Sequence, residues 1–268
     1  MRIARVQIDE FAKPVVALVV DGAYYDVGAL EERWNWLDRF GPADFHARVV
    51  GARCAGLELL EMRVRAGDRP TEARLLPGEF LPLPPCDTDR ATYVQLGPYD
   101  DDHPTPRFEH RYARTLVGHD QPAVTSDPHA EAGLAVLLGE DLHRASAREA
   151  ERAMLGFTLL LDWRGGSSQL GPELVLGVSL RDLSARAVTL DGHAAGNVGA
   201  SRFHPSEALA FVSQYMPLRA GDVVGLGCLA NGRAAPAFSE PVTLSVDRFM
   251  TLRGWAVAGP EPIDWRRP

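Results

Sequence analysis

The sequence predicts a β-rich α+β fold, in which a small N-terminal domain precedes a larger β-rich domain. Most apolar segments are short and end at Gly, Pro or Asp-Gly turn signals, which is typical of strands. Helical periodicity occurs in only a few segments. A proline-rich stretch, LLPGEFLPLPP at residues 75–85, divides the chain. We therefore expect one domain over residues 1–85 and a second over residues 86–268.

The N-terminal domain begins with two predicted strands, RIARVQI and PVVALVV. Asp21-Gly22 is a tight-turn signal, which predicts a hairpin between the second strand and AYYDVG. The segment ALEERWNWLDRFG has helical periodicity and is expected to end at Gly41. Residues 43–64 are also predicted to be helical.

A strand, a helix and a second strand follow the proline-rich stretch. GLAVLLG and FTLLLDW are apolar enough to be buried strands. Between them, Ser146 and Glu149 form a capping-box pattern, which predicts a helix through about Leu155 that stops at Gly156. Downstream, the sequence predicts mainly strands, with a turn at Asp191-Gly192, a helix near 205–215 and a strand pair around 241–257.

Composition and charge exclude several classes of protein. The net charge is −8 with no basic stripe, so nucleic acid is not an expected partner. No signal-peptide core or membrane-length apolar run is present, so we expect a cytoplasmic protein without a membrane partner. Three widely spaced cysteines predict no disulfide or zinc site. Lys13 is the single lysine, and its N-terminal position disfavours Schiff-base chemistry.

Two carboxylates flank the predicted central strands. Glu131 begins one strand and Asp162 ends the next, so the two side chains converge if the strands are antiparallel. Converging carboxylates repel each other unless a cation or a proton lies between them. Oxygen ligands of this kind suit magnesium, calcium or manganese. The alternative is that Glu131 is a solvated strand start and that Asp162 caps the following turn.

Four segments resemble, in order and spacing, motifs of the fumarylacetoacetate hydrolase family: HAEAGLAVLLG, LGFTLLLD, LGPELV and FVSQYMPLRAGDVVGLG. The resemblance runs from about residue 91 to the C-terminus. It implies a β-roll or β-sandwich core and a hydrolase, lyase or isomerase that works as a homodimer. It also implies that Glu131 and Asp162 are ligands of a divalent metal, magnesium or manganese.

The implied ligand set is incomplete. The family's second glutamate in the strand motif falls on Gly133, which ligates nothing. His129 lies two residues before Glu131 and would share its face, so it is a candidate third ligand. The alternative is a loop histidine that bonds its own turn. The loop after Asp162 lacks the family's lysine, and Arg164 is the candidate to supply positive charge there.

The segment LGPYDDDHPTPRFEH resembles the family's G-x-N-Y-x-x-H-x-x-E motif, with Tyr99 and His103 in matching places. In the family, the histidine and its glutamate partner prepare a water for attack on a carbonyl. The glutamate position is Pro106 here, so His103 is a base only if Glu109 or one of the three preceding aspartates orients it. The alternative is a solvated acidic loop. Arg111 is the candidate to pair with a substrate carboxylate.

The family's T-G-T-P motif becomes Leu226-Gly227-Cys228-Leu229. Cys228 is therefore a candidate lining residue of a less polar pocket, which would suit a more hydrophobic substrate. The alternative is that Cys228 is a small buried residue.

These patterns lead to two functional hypotheses. The first is an enzyme that hydrolyses, decarboxylates or isomerises a β-dicarbonyl or 2-oxo acid, with an altered metal site and His103 as the base. The second is a scaffold that has lost the metal, and that catalyses a rearrangement or cyclisation in specialised metabolism or serves as a non-catalytic partner subunit. The sequence favours an enzyme with altered chemistry that acts on a small molecule.

Overall fold

The computed structural model describes residues 1–36, 44–97, 107–200 and 204–259, without the side chains of residues 200, 228, 230 and 231. The strands of this part are β1 (Arg2–Gln7), β2 (Val15–Val20), β3 (Ala23–Asp26), β4 (Arg74–Leu75), β5 (Leu81–Leu83), β6 (Thr92–Leu96), β7 (Phe108–Tyr112), β8 (Leu116–Val117), β9 (Pro122–Thr125), β10 (Ala130–Leu138), β11 (Met154–Trp163), β12 (Ser168–Leu176), β13 (Ala187–Leu190), β14 (His193–Asn197), β15 (Val223–Ala234), β16 (Pro241–Val246) and β17 (Met250–Ala258).

Helices are few and short. They are α1 (Val27–Arg33), α2 (Leu57–Arg65), α3 (Ala147–Ala153), α4 (Leu180–Ser184) and α5 (Pro205–Tyr215), together with a π-helical turn over His46–Gly51 and 3-10 turns at Thr71–Ala73, Ala113–Thr115 and Val198–Ala200. Within the described ranges, none is both long and apolar enough to cross a bilayer. The predicted β-rich α+β class is therefore confirmed.

The strands form a 12-stranded sheet and a 5-stranded sheet. The order in the large sheet is β4-β3-β2-β1-β12-β11-β10-β15-β6-β7, with β5 beside β1 and β8 beside β12. The small sheet has the order β14-β13-β16-β17-β9. Because β1 pairs with β12, the N-terminal strands extend the same sheet that holds the central strands. The division of the chain at residue 85 stays a prediction.

The central strands are buried on both faces, which explains their uninterrupted apolar sequences. Leu134 and Val136 of β10 belong to one hydrophobic cluster, which includes residues of the small sheet and of α5. Ala135 and Leu137 belong to another, which includes residues of β1, β2, α1 and α2. Alternate residues of a strand point to opposite faces, so Glu131 and Gly133 lie on the face of Ala135 and Leu137.

Most of the predicted local elements are confirmed. Asp21 and Gly22 both have positive φ, at 51° and 77°, in the turn between β2 and β3. The Ser146 capping box opens α3, but α3 ends at Ala153 because Met154 already pairs with β10. The predicted 43–64 helix is split into the π-helical turn and α2.

The first predicted helix is shorter than the sequence indicates. Helix α1 ends at Arg33, and Asn35 adopts a left-handed φ of 55° that a continuing helix does not allow. The expected end at Gly41 falls on residues 37–43, which lie outside the described residues.

Candidate active site

A row of polar side chains crosses four neighbouring strands at one end of the large sheet. Arg233 of β15 lies opposite Glu131 of β10, Glu131 lies opposite Asp162 of β11, and Asp162 lies opposite Ser168 of β12. Residues directly opposite each other project from the same face of a sheet. The structure therefore brings Glu131 and Asp162 side by side, although they lie at opposite ends of their strands in the sequence.

A cavity of about 640 Å³ opens over this row. Its charged lining consists of Glu109, Arg111, Glu131, Asp162 and Arg164. Every one of these residues was a candidate site residue from the sequence. A volume in this range suits a small-molecule ligand.

Asp162 is nearly buried and is held by two donors. Its Oδ1 accepts hydrogen bonds from Ser168 Oγ at 2.7 Å and from Arg111 Nη1 at 2.5 Å. Burial raises the pKa of Asp162 above its usual range, and the neighbouring Arg111 guanidinium offsets part of that rise. The ion pair therefore stabilises the charged form of Asp162 in an environment that disfavours it.

Arg111 is positioned by two strands and by a second carboxylate. In the pairing of β6 with β7, Arg111 lies opposite Tyr93. Its Nε and Nη2 donate to the same oxygen of Glu109, Oε2, at 3.2 and 3.1 Å. The Glu109 side chain is 69% exposed, whereas that of Arg111 is 23% exposed. Glu109 is thus a solvated partner on the outer side of a more buried guanidinium.

The floor of the site contains polar groups that the sequence analysis missed. The Tyr93 hydroxyl lies 2.5 Å from Gln95 Oε1 and 3.2 Å from Ser168 Oγ, and all three side chains are buried. Burial raises the pKa of Tyr93 above its usual range, with a further contribution from Asp162, so the phenol stays neutral. The alternation of Tyr93 and Gln95 along TYVQL was the one sequence signal that could have placed both on a common face.

Glu131 has its own cationic partner. Arg233 Nε lies 3.3 Å from Glu131 Oε1, and the Arg233 side chain is 66% exposed. No local sequence pattern indicates Arg233, because its pairing depends on an irregular register between β10 and β15. Each central carboxylate is therefore paired with one arginine. The Asp162–Arg111 pair is largely buried, whereas the pair of Glu131 has a partly buried carboxylate and an exposed guanidinium.

The backbone of β15 closes the space above Gly133. A Cβ at this position would lie 2.5 Å from the carbonyl oxygen of Gly227, closer than real Cβ contacts occur. Gly227 has a positive φ of 84°, a conformation that glycine adopts most easily, and it lies within the irregular part of β15. The position that carries the family's second glutamate therefore has no room for a side chain.

The remaining candidates lie apart from this cluster or outside the described residues. The His129 ring bonds the Asp127 carboxylate next to it and is half-exposed, which is the arrangement of the loop-histidine alternative. Arg164 lines the cavity, and Asp127 lies 3.7 Å from it.

The other candidates lie outside the described residues. Tyr99 and His103 fall within residues 98–106, which are not described, and the side chain of Cys228 is not described either. The backbone of Cys228 lies opposite Gly133.

Comparisons with known proteins agree with the fold. Residues 164–255 match the family described as "Fumarylacetoacetate (FAA) hydrolase C-terminal". No curated protein matches the chain in sequence. The structure is similar to those of family enzymes over 97% of this chain and 100% of theirs.

Two solved structures illustrate this similarity. Maleylpyruvate hydrolase from Sphingobium sp. SYK-6, in complex with manganese(II) ion and pyruvate, is 17% identical with a TM-score of 0.71. The 2-hydroxyhepta-2,4-diene-1,7-dioate isomerase from Mycobacterium marinum is 16% identical with a TM-score of 0.67. Residues 164–255 therefore match the family's C-terminal domain, and the predicted resemblance is confirmed for this part of the chain.

The residues present do not fit the divalent metal that the family resemblance implies. Asp162 Oδ1 already accepts from Arg111 and Ser168, Glu131 pairs with Arg233, and Gly133 has no room for a third carboxylate. Magnesium is held octahedrally by one or two carboxylates together with waters and substrate oxygens. Here both carboxylates of the row already neutralise a guanidinium, so they offer such a cation little net negative charge.

Proposed function

We propose that the chain is an enzyme that binds a small β-dicarbonyl or 2-oxo acid in the 640 Å³ cavity and hydrolyses, decarboxylates or isomerises it. The observation that supports this most is the position of Arg111. Its guanidinium is fixed from behind by Asp162 and lines a cavity that a small acid can enter. Arginine pairs with carboxylates through two parallel hydrogen bonds.

Substrate binding uses the outer side of Arg111. The Nε and Nη2 groups that now donate to the exposed Glu109 are in the geometry that a carboxylate accepts bidentately. A substrate carboxylate would displace Glu109, while Asp162 and Ser168 keep the guanidinium in place. The displaced Glu109 would then be free to orient His103, which stays our proposed base.

The carbonyl end of the substrate lies near the polar floor. Gln95 lines the cavity, and its amide nitrogen has a second N–H besides the one that donates to the Leu96 carbonyl. The Tyr93 hydroxyl donates to Gln95 Oε1 and so orients this amide. Donors of this kind stabilise an oxygen on which negative charge develops, as in an enolate. A homodimer and a role in specialised metabolism stay predictions.

The test is turnover of a panel of 2-oxo acids and β-dicarbonyl acids, with products identified by mass spectrometry. For the substrate that turns over, Arg111→Lys is expected to lower kcat/KM about 10- to 100-fold, mainly through KM, because lysine keeps the charge but loses the planar fork. Arg65→Lys, in an exposed pair with Glu61 away from the cavity, is the matched control and should leave kcat/KM unchanged. Unchanged kinetics in Arg111→Lys would refute the proposed binding mode.

A further inference from the structure

We infer that Arg111 and Arg233 provide the positive charge at the paired carboxylates, and that this site works without a divalent metal. The inference deepens the proposed function and rests on it for the class of substrate. Its structural basis is the set of contacts that Glu131, Asp162 and Gly133 make.

One oxygen of the Asp162 carboxylate, Oδ1, is already bonded to two protein donors. Oδ1 accepts at 2.5 Å from Arg111 and at 2.7 Å from Ser168, and Ser168 is itself buried. A cation bound to that oxygen at about 2.0–2.6 Å would lie within a few ångströms of a guanidinium that carries its charge at every accessible pH. Two positive charges at that distance repel strongly in a partly buried site.

The Glu131 carboxylate is balanced separately. Arg233 lies beside its Oε1, so the two carboxylates of the row face two guanidiniums and the four groups carry no net charge. Adding a divalent cation would leave the group at plus two. Without a metal, these two carboxylates and two guanidiniums stay neutral as a set, and Arg111 can bind an anionic substrate in the cavity.

The third ligand position is closed by backbone rather than by a side chain. The Gly227 carbonyl oxygen approaches to 2.5 Å of where a Gly133 Cβ would lie, and β15 is held there by its pairing with β10. A rotamer change cannot open this space, because a backbone carbonyl blocks it. The loss of the ligand is thus built into the sheet.

The experiment is a titration of manganese(II) into the full chain, after dialysis against a chelator, followed by electron paramagnetic resonance of the free ion. The wild-type chain is expected to bind no stoichiometric manganese below about 1 mM, weaker than dedicated oxygen-ligand sites. Arg111→Gln combined with Arg233→Gln removes both charges but leaves hydrogen-bond donors, and should tighten binding at least about tenfold. Arg65→Gln, far from the cavity, should behave as wild type.

Two outcomes overturn the inference. One is stoichiometric manganese binding by the wild-type chain, alone or with pyruvate present, that Asp162→Asn abolishes. The other is a folded double variant, verified by circular dichroism, that gains no affinity. Failure of the proposed function would be a different result, namely no turnover of the panel by chelator-treated or manganese-supplemented protein, with the titration unaffected.

Discussion

Replacing Gly133 with glutamate is expected to lower the free energy of unfolding by more than about 3 kcal/mol, and not to create a metal site. The new Cβ would meet the Gly227 carbonyl oxygen at 2.5 Å, so β15 or β10 has to shift. The added carboxylate would also enter a face already populated by Glu131 and Asp162. Urea denaturation gives the stability, and the manganese titration gives the affinity.

A smaller change separates steric from electrostatic effects. Gly133→Ala adds only the blocked Cβ and should cost about 1–3 kcal/mol. Gly51→Ala is the control, since its Cβ would have an ordinary contact of 3.8 Å at an exposed position. A Gly133→Glu variant that is as stable as wild type and binds manganese tightly would contradict the closed geometry.

Replacing Arg111 with alanine is expected to cost about 3 kcal/mol at neutral pH, because it leaves the nearly buried Asp162 carboxylate without its cation. Arg233→Ala is the matched control: it removes an exposed guanidinium from the partly buried Glu131 carboxylate, and should cost less, about 1 kcal/mol. Chemical denaturation of the three proteins at one pH measures both differences. Equal losses would mean that burial of the Asp162 pair has no energetic role.

The cost of Arg111→Ala depends on pH in a defined direction. Burial raises the pKa of folded Asp162, and Arg111 lowers it, so removing Arg111 raises that pKa further. A carboxyl with a raised folded pKa destabilises the fold as pH rises from the unfolded pKa through the folded one. The stability difference between wild type and Arg111→Ala should therefore be larger at pH 7.5 than at about pH 4.5. A difference that shrinks with rising pH would contradict this.

The sequence was informative where structure depends on neighbouring residues. The Asp21-Gly22 turn, the Ser146 capping box and the two apolar central strands follow from local patterns, and the structure confirms them. The meeting of Glu131 and Asp162 follows from one assumption, that the two strands are antiparallel neighbours. The motif resemblance then predicted the family's fold. It also indicated that Gly133 occupies the position of the family's second glutamate ligand.

The rest of the site depends on register between strands that are distant in sequence. Arg111 of β7 lies four strands from Asp162 of β11 in the sheet order, and it reaches Asp162 because the chain continues from β7 into β8, which pairs with β12 beside β11. Arg233 reaches Glu131 through an irregular stretch of β15, and Gly227 turns its carbonyl towards Gly133 in the same stretch. No local periodicity encodes these shifts. Arg111 was therefore predicted to bind substrate, whereas its contact with Asp162 was not foreseen.

The central claim is that Arg111 binds the substrate carboxylate where family relatives are expected to use a metal. A crystal soaked with pyruvate and manganese(II), measured at a wavelength with manganese anomalous signal, tests it directly. We expect pyruvate density within hydrogen-bond distance of Arg111 Nε and Nη2, with Glu109 displaced, and no anomalous peak between Glu131 and Asp162. An anomalous peak at about 2.0–2.6 Å from both carboxylates, with Arg111 turned away, would contradict the claim.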